Sequence, residues 1–149
     1  MPDQISIRVL GPGDEAVLAQ VEEEVFDNPI HAELAAEFLG DPRHHIAVAV
    51  KNGVVVGFAS GVHYVHPDKP AQLWVNEVGV APRLQRRGIG KRVMAALLEV
   101  GRALGCSEAW VLTDRSNAAA RALYLSVGGS DGADEQENAD TVGYSFDLR

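Results

Sequence analysis

Two apolar runs separated by Asn52-Gly53 constrain the fold more than any other feature of the sequence. The runs read HIAVAVK over residues 45–51 and VVVGFASGVHYV over residues 54–65. An Asn-Gly pair readily adopts the left-handed backbone of a type I′ turn, and the twist of that turn matches the twist of the strands it joins. The sequence therefore predicts an antiparallel hairpin in the first half of the chain.

Strands and helices are expected on both sides of this hairpin, from the spacing of the apolar residues. Further strands are predicted at residues 5–10, 73–80, 109–113 and 141–149, and the last could pair with residues around Gly128. Helices are predicted at residues 14–26, 32–39, 118–127 and from 88 to 101 or 105. Asp14 is expected to cap the first helix, and Ser116 or Asn117 the last. The order β-α-α-β-β-β-α-β-α-β-β indicates a single mixed α/β domain over residues 1–149.

The overall charge and the cysteine content exclude some classes of partner and site. The formal net charge is −8, whereas a protein that follows a phosphate backbone shows a basic face or stripe. We therefore expect no nucleic-acid partner, and a cationic partner is easier to accommodate. Cys106 is the single cysteine, so no internal disulfide can form. No apolar run approaches the roughly 18 residues of a membrane span, and we expect a cytoplasmic protein without a membrane partner.

The segment LQRRGIGKRVMAALLE, residues 84–99, places two glycines among basic residues where a strand meets a helix. Such a corner directs unpaired backbone N–H groups and the positive end of a helix dipole at one small volume, which can bind phosphate. The dinucleotide fingerprint would need glycine in place of Val93. The P-loop would need glycine and a hydroxyl in place of Gln85 and Arg92. An ordinary tight turn with solvated arginines is the alternative.

The hexapeptide QRRGIG, residues 85–90, matches the Q/R-x-x-G-x-G/A pattern, and the sequence resembles the GCN5-related N-acetyltransferases over nearly its whole length. The resemblance implies an α/β fold with about six to seven strands in a mixed sheet and about four helices. It implies acetyl-CoA as co-substrate, with its pyrophosphate on the amides of residues 86–91 and its pantetheine arm along strand 75–80. The residues expected to bind it are Val78, Gly79, Val80, Gln85, Arg86, Arg87, Gly88, Ile89, Gly90, Lys91, Asn117, Arg121 and Tyr124.

Two residues are expected to move protons. By the resemblance, Tyr124 protonates the departing coenzyme A thiolate, and a phenol is a competent donor for that step. An amine must also lose a proton before it attacks, and Glu77, which lies in an apolar strand where partial burial would make it more basic, is the preferred base. Asp114 or an ordered water could serve instead. The alternatives are a core tyrosine, a sheet-edge glutamate and, for Asn117, a helix cap.

The acceptor is expected to be the primary amine of a small molecule. Acidic residues crowd positions 130–140, and an acidic rim would attract a polycationic amine, although a solvated loop is the alternative. The residues expected to contact the acceptor are Glu77, Asp114, Asp134 and Glu135. The chain length, the HYVHPDKPAQ loop and the ending resemble the aminoglycoside 3-N-acetyltransferases.

Two other classes of function and some structural questions stay open. The chain could acetylate a protein N-terminus or lysine, or it could bind acyl-CoA without turnover. A homodimer is possible. No metal is expected, because His63 and His66 have no further ligands nearby in the sequence.

Overall fold

A mixed β-sheet organises the residues that the computed structural model describes, 4–131 and 140–149. Its strands are β1 (Ile5–Leu10), β2 (His44–Lys51), β3 (Val54–Tyr64), β4 (Gln72–Val80), β5 (Glu108–Asp114), β6 (Ser130–Asp131) and β7 (Thr141–Asp147). They lie in the order β1-β2-β3-β4-β5-β7-β6, and every neighbouring pair is antiparallel except β4 with β5. The fold is therefore a single α/β domain, as the sequence predicted.

Within the described residues, three α-helices accompany the sheet: α1 (Ala32–Gly40), α2 (Ile89–Ala103) and α3 (Ala118–Ser126). Helix α2 connects β4 to β5 and buries its apolar face against β2, β3 and β4. The core between this helix and the sheet contains fully buried Leu73, Met94 and Leu97. No helix in the described part of the chain is long and apolar enough to cross a membrane.

The hairpin and the last helix form as predicted. Asn52 and Gly53 both have a left-handed backbone, with φ of 52° and 79°, and they connect β2 to β3 in antiparallel register. The side-chain oxygen of Asn117 accepts a hydrogen bond from the amide of Ala120 (3.0 Å) and so caps α3. Local turn and cap chemistry is sufficient to specify both features.

The predicted helix over residues 14–26 is wrong. A 3-10 helix covers only Glu15–Ala19, and the Asp14 carboxylate accepts a hydrogen bond from the amide of Gly11 (2.8 Å) instead of capping it. The following backbone pairs with β3, because β3 extends past the end of β4. The amide of Val55 donates to Gln20 (2.8 Å), and the amide of Glu22 donates to Val55 (3.0 Å). Sheet pairing thus replaces the helical hydrogen bonds that the apolar spacing suggested.

Candidate active site

The sheet opens between β4 and β5, which pair at one end only. Their register covers the residues up to Trp74 and Trp110 and then stops. From Val75 to Val80, no strand of the described chain pairs with this edge of β4, whereas β5 continues to pair with β7 as far as Asp114. We call this opening the β4/β5 gap. Its unpaired backbone N–H and C=O groups can receive an extended ligand as an added strand.

A β-bulge lies where the gap begins. The pairing of β3 with β4 shifts register between Ser60 and Gly61, and the extra residue on β4 is Asn76. A bulge bends a strand and increases its twist, so it directs the rest of β4 away from β5. The strand residues predicted to bind the cofactor lie along the gap: Val78, Gly79 and Val80.

The basic, glycine-rich segment follows β4 at the end of the gap. A 3-10 turn over Pro82–Leu84 comes first, and Arg86 and Gly88 then adopt left-handed φ values of 66° and 80°. Gly88 is the N-cap of α2, and no side chain caps the helix. The amides of the first turn are therefore left as hydrogen-bond donors at the positive end of the helix dipole. Such an arrangement binds anions.

The side chains of this segment differ in what they can offer a ligand. Arg86, Arg87 and Lys91 are exposed around the loop. The side chain of Ile89 is buried in the core, so only its backbone amide is available. Gln85 donates from its side chain to the carbonyl of Val80 (3.2 Å), which holds the loop against the end of β4.

Tyr124 lies on α3, on the β5 side of the gap. The helix packs closely against the start of α2. A Cβ added to Gly90 would lie only 3.2 Å from the side chain of Leu123. The Tyr124 side chain is buried against Tyr144, with a ring separation of 5.6 Å, and against Phe146. Desolvation, followed by the influence of Tyr144, raises the pKa of Tyr124. The phenol is therefore protonated at neutral pH and can donate.

The hydroxyl of Tyr124 has no hydrogen-bond partner among the described residues. No fully buried side-chain oxygen or nitrogen there lacks a partner either. The hydroxyl must therefore reach accessible surface although its ring is buried. A buried ring with an unpaired, accessible hydroxyl can serve as a proton donor to a ligand.

Asn117 and Arg121 make contacts within the protein. Asn117 is the cap of α3, which is one of the two roles that the sequence left open for it. The Arg121 guanidinium donates to the Tyr144 hydroxyl (3.0 Å) and to the carbonyl of Arg115 (3.2 Å). Arg121 therefore connects α3 to β7 and to the end of β5, next to Tyr124.

The two candidate bases lie on opposite sides of the gap. Glu77 is on β4, directly across from buried Ser60 on β3, and Asp114 ends β5. Both side chains are exposed. The expected partial burial of Glu77 is wrong, because the bulge places it on the outer face of the sheet. The sequence argument for Glu77 required desolvation, and the exposed side chain does not supply it.

A cavity of about 670 Å³ lies between the 3-10 helix at Glu15–Ala19, the segment that follows it and α1. We call it the N-terminal cavity. Leu18, Phe26 and Ile30 supply apolar surface. Five acidic residues also line it, and none of its described lining residues is lysine or arginine: the acidic residues are Glu15, Glu22, Glu23, Glu24 and Asp27. The carboxylate of Glu22 is already paired with Arg83. The cavity favours an amine that carries positive charge next to apolar groups.

The N-terminal cavity adjoins the outer face of β4. The Phe26 ring stacks on Phe58, with ring centroids 3.9 Å apart, and Phe58 pairs across the sheet with Gly79. The Val25 carbonyl rests directly on Gly79, where no Cβ would fit. Glu77 points to this same face, because it lies two residues before Gly79 on the strand. The sequence reasoning missed this cavity because it read the glutamates of residues 22–24 as the solvated face of a helix.

Several tempting residues lie outside this arrangement. His63 contacts His45 (2.8 Å between ring nitrogens) and His66 contacts Gln72 (3.0 Å), so the H-x-x-H pair is separated. Across residues 4–131 and 140–149, no group of three histidine, cysteine, aspartate or glutamate side chains is placed to hold a metal. Burial raises the pKa of the Cys106 thiol, which agrees with a buried apolar role. Asp134 and Glu135 lie outside the described residues.

Comparisons with known proteins agree on one family. The family model described as "Acetyltransferase (GNAT) family" matches residues 16–128 of this chain. N-alpha-acetyltransferase RimI of Mycobacterium tuberculosis is 34% identical over 85% of this chain and 78% of its own length. A mycothiol acetyltransferase of Pseudarthrobacter chlorophenolicus is 32% identical over 86% of this chain, which spans only 43% of that protein. The crystal structure of the ribosomal-protein-S18-alanine N-acetyltransferase from Escherichia coli has a TM-score of 0.69 at 22% identity, covering 97% of this chain and 94% of that one.

Proposed function

The chain belongs to the acetyltransferase (GNAT) family, and on that premise we propose that it acetylates a primary amine entering from the N-terminal cavity. The chain is an acetyl-CoA-dependent N-acetyltransferase. The observation that carries the proposal is the β4/β5 gap, which ends at a helix N-terminus without a side-chain cap. One side of the sheet thus offers a place for a thioester carrier, and the outer face offers a place for an amine.

The carrier fits the groups that surround the gap. Backbone amides from Arg86 to Lys91 would bind its diphosphate, and the exposed basic side chains would add charge at the rim. The free edge of β4 from Val78 to Val80 would pair with the amide groups of its extended arm. The thioester would then lie close to the bulge at Asn76, between the two candidate bases.

Transfer requires two proton movements that this chain can support. The neutral amine attacks the thioester carbonyl, a C–N bond forms and the C–S bond breaks. Glu77, directly or through water, accepts the proton that the amine nitrogen releases, and Asp114 is the other candidate. The hydroxyl of Tyr124, which is protonated before the reaction, donates a proton to the leaving sulfur.

The acceptor that we favour is the α-amine of a protein N-terminus. The observation in favour is the relation to RimI, which extends over most of both chains. The open cavity can admit the first residues of a peptide, and its carboxylates would interact with the protonated amine before it is deprotonated.

A small polycationic amine is the second candidate. The carboxylates that line the N-terminal cavity favour it, since a polycation would contact several of them at once. The aminoglycoside specificity expected from the sequence has no support from the curated relatives, which are named as acetyltransferases of other acceptors. The non-catalytic acyl-CoA-binding module that the sequence left open would show binding without turnover, and the family and its named relatives do not favour it.

A thiol-release assay with acetyl-CoA distinguishes these candidates. The panel contains short peptides with free N-termini, the same peptides with blocked N-termini, lysine-containing blocked peptides, spermine and an aminoglycoside. Activity with the free peptides alone supports α-amine transfer, and activity with spermine or the aminoglycoside supports the second candidate. Calorimetric binding of coenzyme A without release of thiol from any acceptor would refute the enzymatic proposal.

A further inference from the structure

Glu22 and Arg83 form a bidentate ion pair between two parts of the proposed site. The Arg83 guanidinium donates through Nη2 to one carboxylate oxygen of Glu22 (2.6 Å) and through Nε to the other (2.8 Å). The two residues are 61 positions apart in the chain. Glu22 lines the N-terminal cavity, and Arg83 lies in the turn that leads into the anion-binding loop.

Both partners stand on backbone that is held in place. The amide of Glu22 donates to Val55 on β3 (3.0 Å). The turn that carries Arg83 is anchored by buried Leu84 and by the Ala81 amide, which donates to Val56 (2.9 Å). The planar guanidinium therefore joins two fixed backbones in one orientation, which a single-point contact could not do.

We propose that the Glu22–Arg83 pair couples occupancy of the coenzyme site to the wall of the N-terminal cavity, so that Arg83 acts as a positioning residue for the acceptor. This inference rests on the proposed function, because it assumes that coenzyme A binds at residues 86–91. The turn is already anchored without a ligand, and a diphosphate bound to the adjoining loop would restrict its remaining movement. The ion pair would carry this restriction to residues 20–26, which lie against β4. Coenzyme binding would thus fix residues 20–26, which form one wall of the N-terminal cavity.

The charges of the pair allow this coupling to be separated from simple electrostatics. Arg83→Gln removes the contact and leaves one more uncompensated negative charge at the cavity. Glu22→Gln also removes the contact but leaves one more positive charge there. If the contact itself matters, both variants change the effect of coenzyme A on residues 20–26 in the same direction. If only the cavity charge matters, the two variants change that effect in opposite directions.

Global stability is a poor measure of this pair, since Arg83 is largely exposed and exposed pairs contribute little to folding. Hydrogen exchange of residues 20–26 is a suitable measure, with coenzyme A as the probe. The amides of Glu22 and Val55, which form the hydrogen bonds between this segment and β3, report on detachment of the segment. In the wild type we expect saturating coenzyme A to slow their exchange by about fivefold or more, the low end of usual site-to-site coupling.

Both single variants should bind coenzyme A but lose this slowing, and the swapped pair, Glu22→Arg with Arg83→Glu, should regain it. Arg102→Gln breaks a comparable exposed ion pair with Glu99 on α2 and should behave as the wild type. The coupling would be overturned if coenzyme A still slowed the exchange in both single variants. It would also be overturned if the slowing increased in one variant and decreased in the other. If titration calorimetry shows no coenzyme binding by the wild type, the proposed function itself fails, and this inference fails with it.

Discussion

Replacing Gly79 by alanine tests whether the cavity wall really rests on β4. The new Cβ would overlap the carbonyl oxygen of Val25 and lie 2.9 Å from Cε1 of Phe58. The Val25 oxygen belongs to the backbone, so it cannot turn aside as a flexible side chain could. Either the segment around Val25 moves away from the sheet, or β4 shifts.

The expected loss of stability follows from overpacking against a backbone atom. Overpacking in a well-packed site typically destabilises a protein by about 1–3 kcal/mol. In a domain of this size each kcal/mol lowers the melting temperature by about 2–4 °C, so we expect Gly79→Ala to melt roughly 2–12 °C below the wild type. The measurement is thermal unfolding by circular dichroism without ligands.

Gly40 provides the matched control. It is the last residue of α1, and a Cβ there would meet no atom within 4 Å. Gly40→Ala should melt at the wild-type temperature or slightly above, because alanine restricts the unfolded chain and suits a helix. If Gly79→Ala melts at the wild-type temperature, the segment around Val25 does not rest on β4, and the described wall of the N-terminal cavity is wrong.

Three further predictions concern catalysis and pH. Tyr124→Phe should lower kcat by at least about tenfold with little change in the Kd of coenzyme A, because it removes only a proton donor; an unchanged kcat would remove Tyr124 from catalysis. Glu77→Gln and Asp114→Asn should differ, with kcat at neutral pH falling at least about tenfold only for the former; the reverse order would make Asp114 the base. Burial, followed by His63 and His44, lowers the pKa of His45 to about 4 from 6.5, so the unfolded state binds more protons between these values and acid destabilises the fold. The free energy of unfolding should fall by about 1–2 kcal/mol from pH 6.5 to pH 4 after allowance for solvent screening of the partly exposed ring, as urea titrations can measure. His45→Asn should reduce this pH dependence, and an equal slope in the variant would refute the assignment.

Features that depend on neighbouring residues could be predicted from the sequence. The Asn52-Gly53 turn needs only residues that tolerate left-handed φ, and the Asn117 cap needs only an oxygen three residues before the amide it accepts from. The loop before α2 is local in the same way, since Gly88 takes the left-handed backbone that glycine favours; the anion site predicted there stays a prediction.

The first helix shows where this reasoning fails. Leu18 and Val25 are both buried, so the apolar spacing was a correct sign of burial. Burial does not determine the backbone, however, and residues 20–22 form their hydrogen bonds with the edge of β3 at Val55 instead of within a helix. Periodicity alone cannot detect a partner that lies more than 30 residues away.

By itself the sequence determined the hairpin, the capped last helix, the order of the strands and of the three described α-helices, and the family, because short-range chemistry and a distinctive local pattern carry each of them. Only the tertiary structure decided that β4 separates from β5 after Trp74, that the bulge at Asn76 exposes Glu77, and that Glu22 meets Arg83. These features depend on strand register and on contacts between distant parts of the chain. Such contacts are selected by the packing of the whole domain, and no local stretch of residues specifies them.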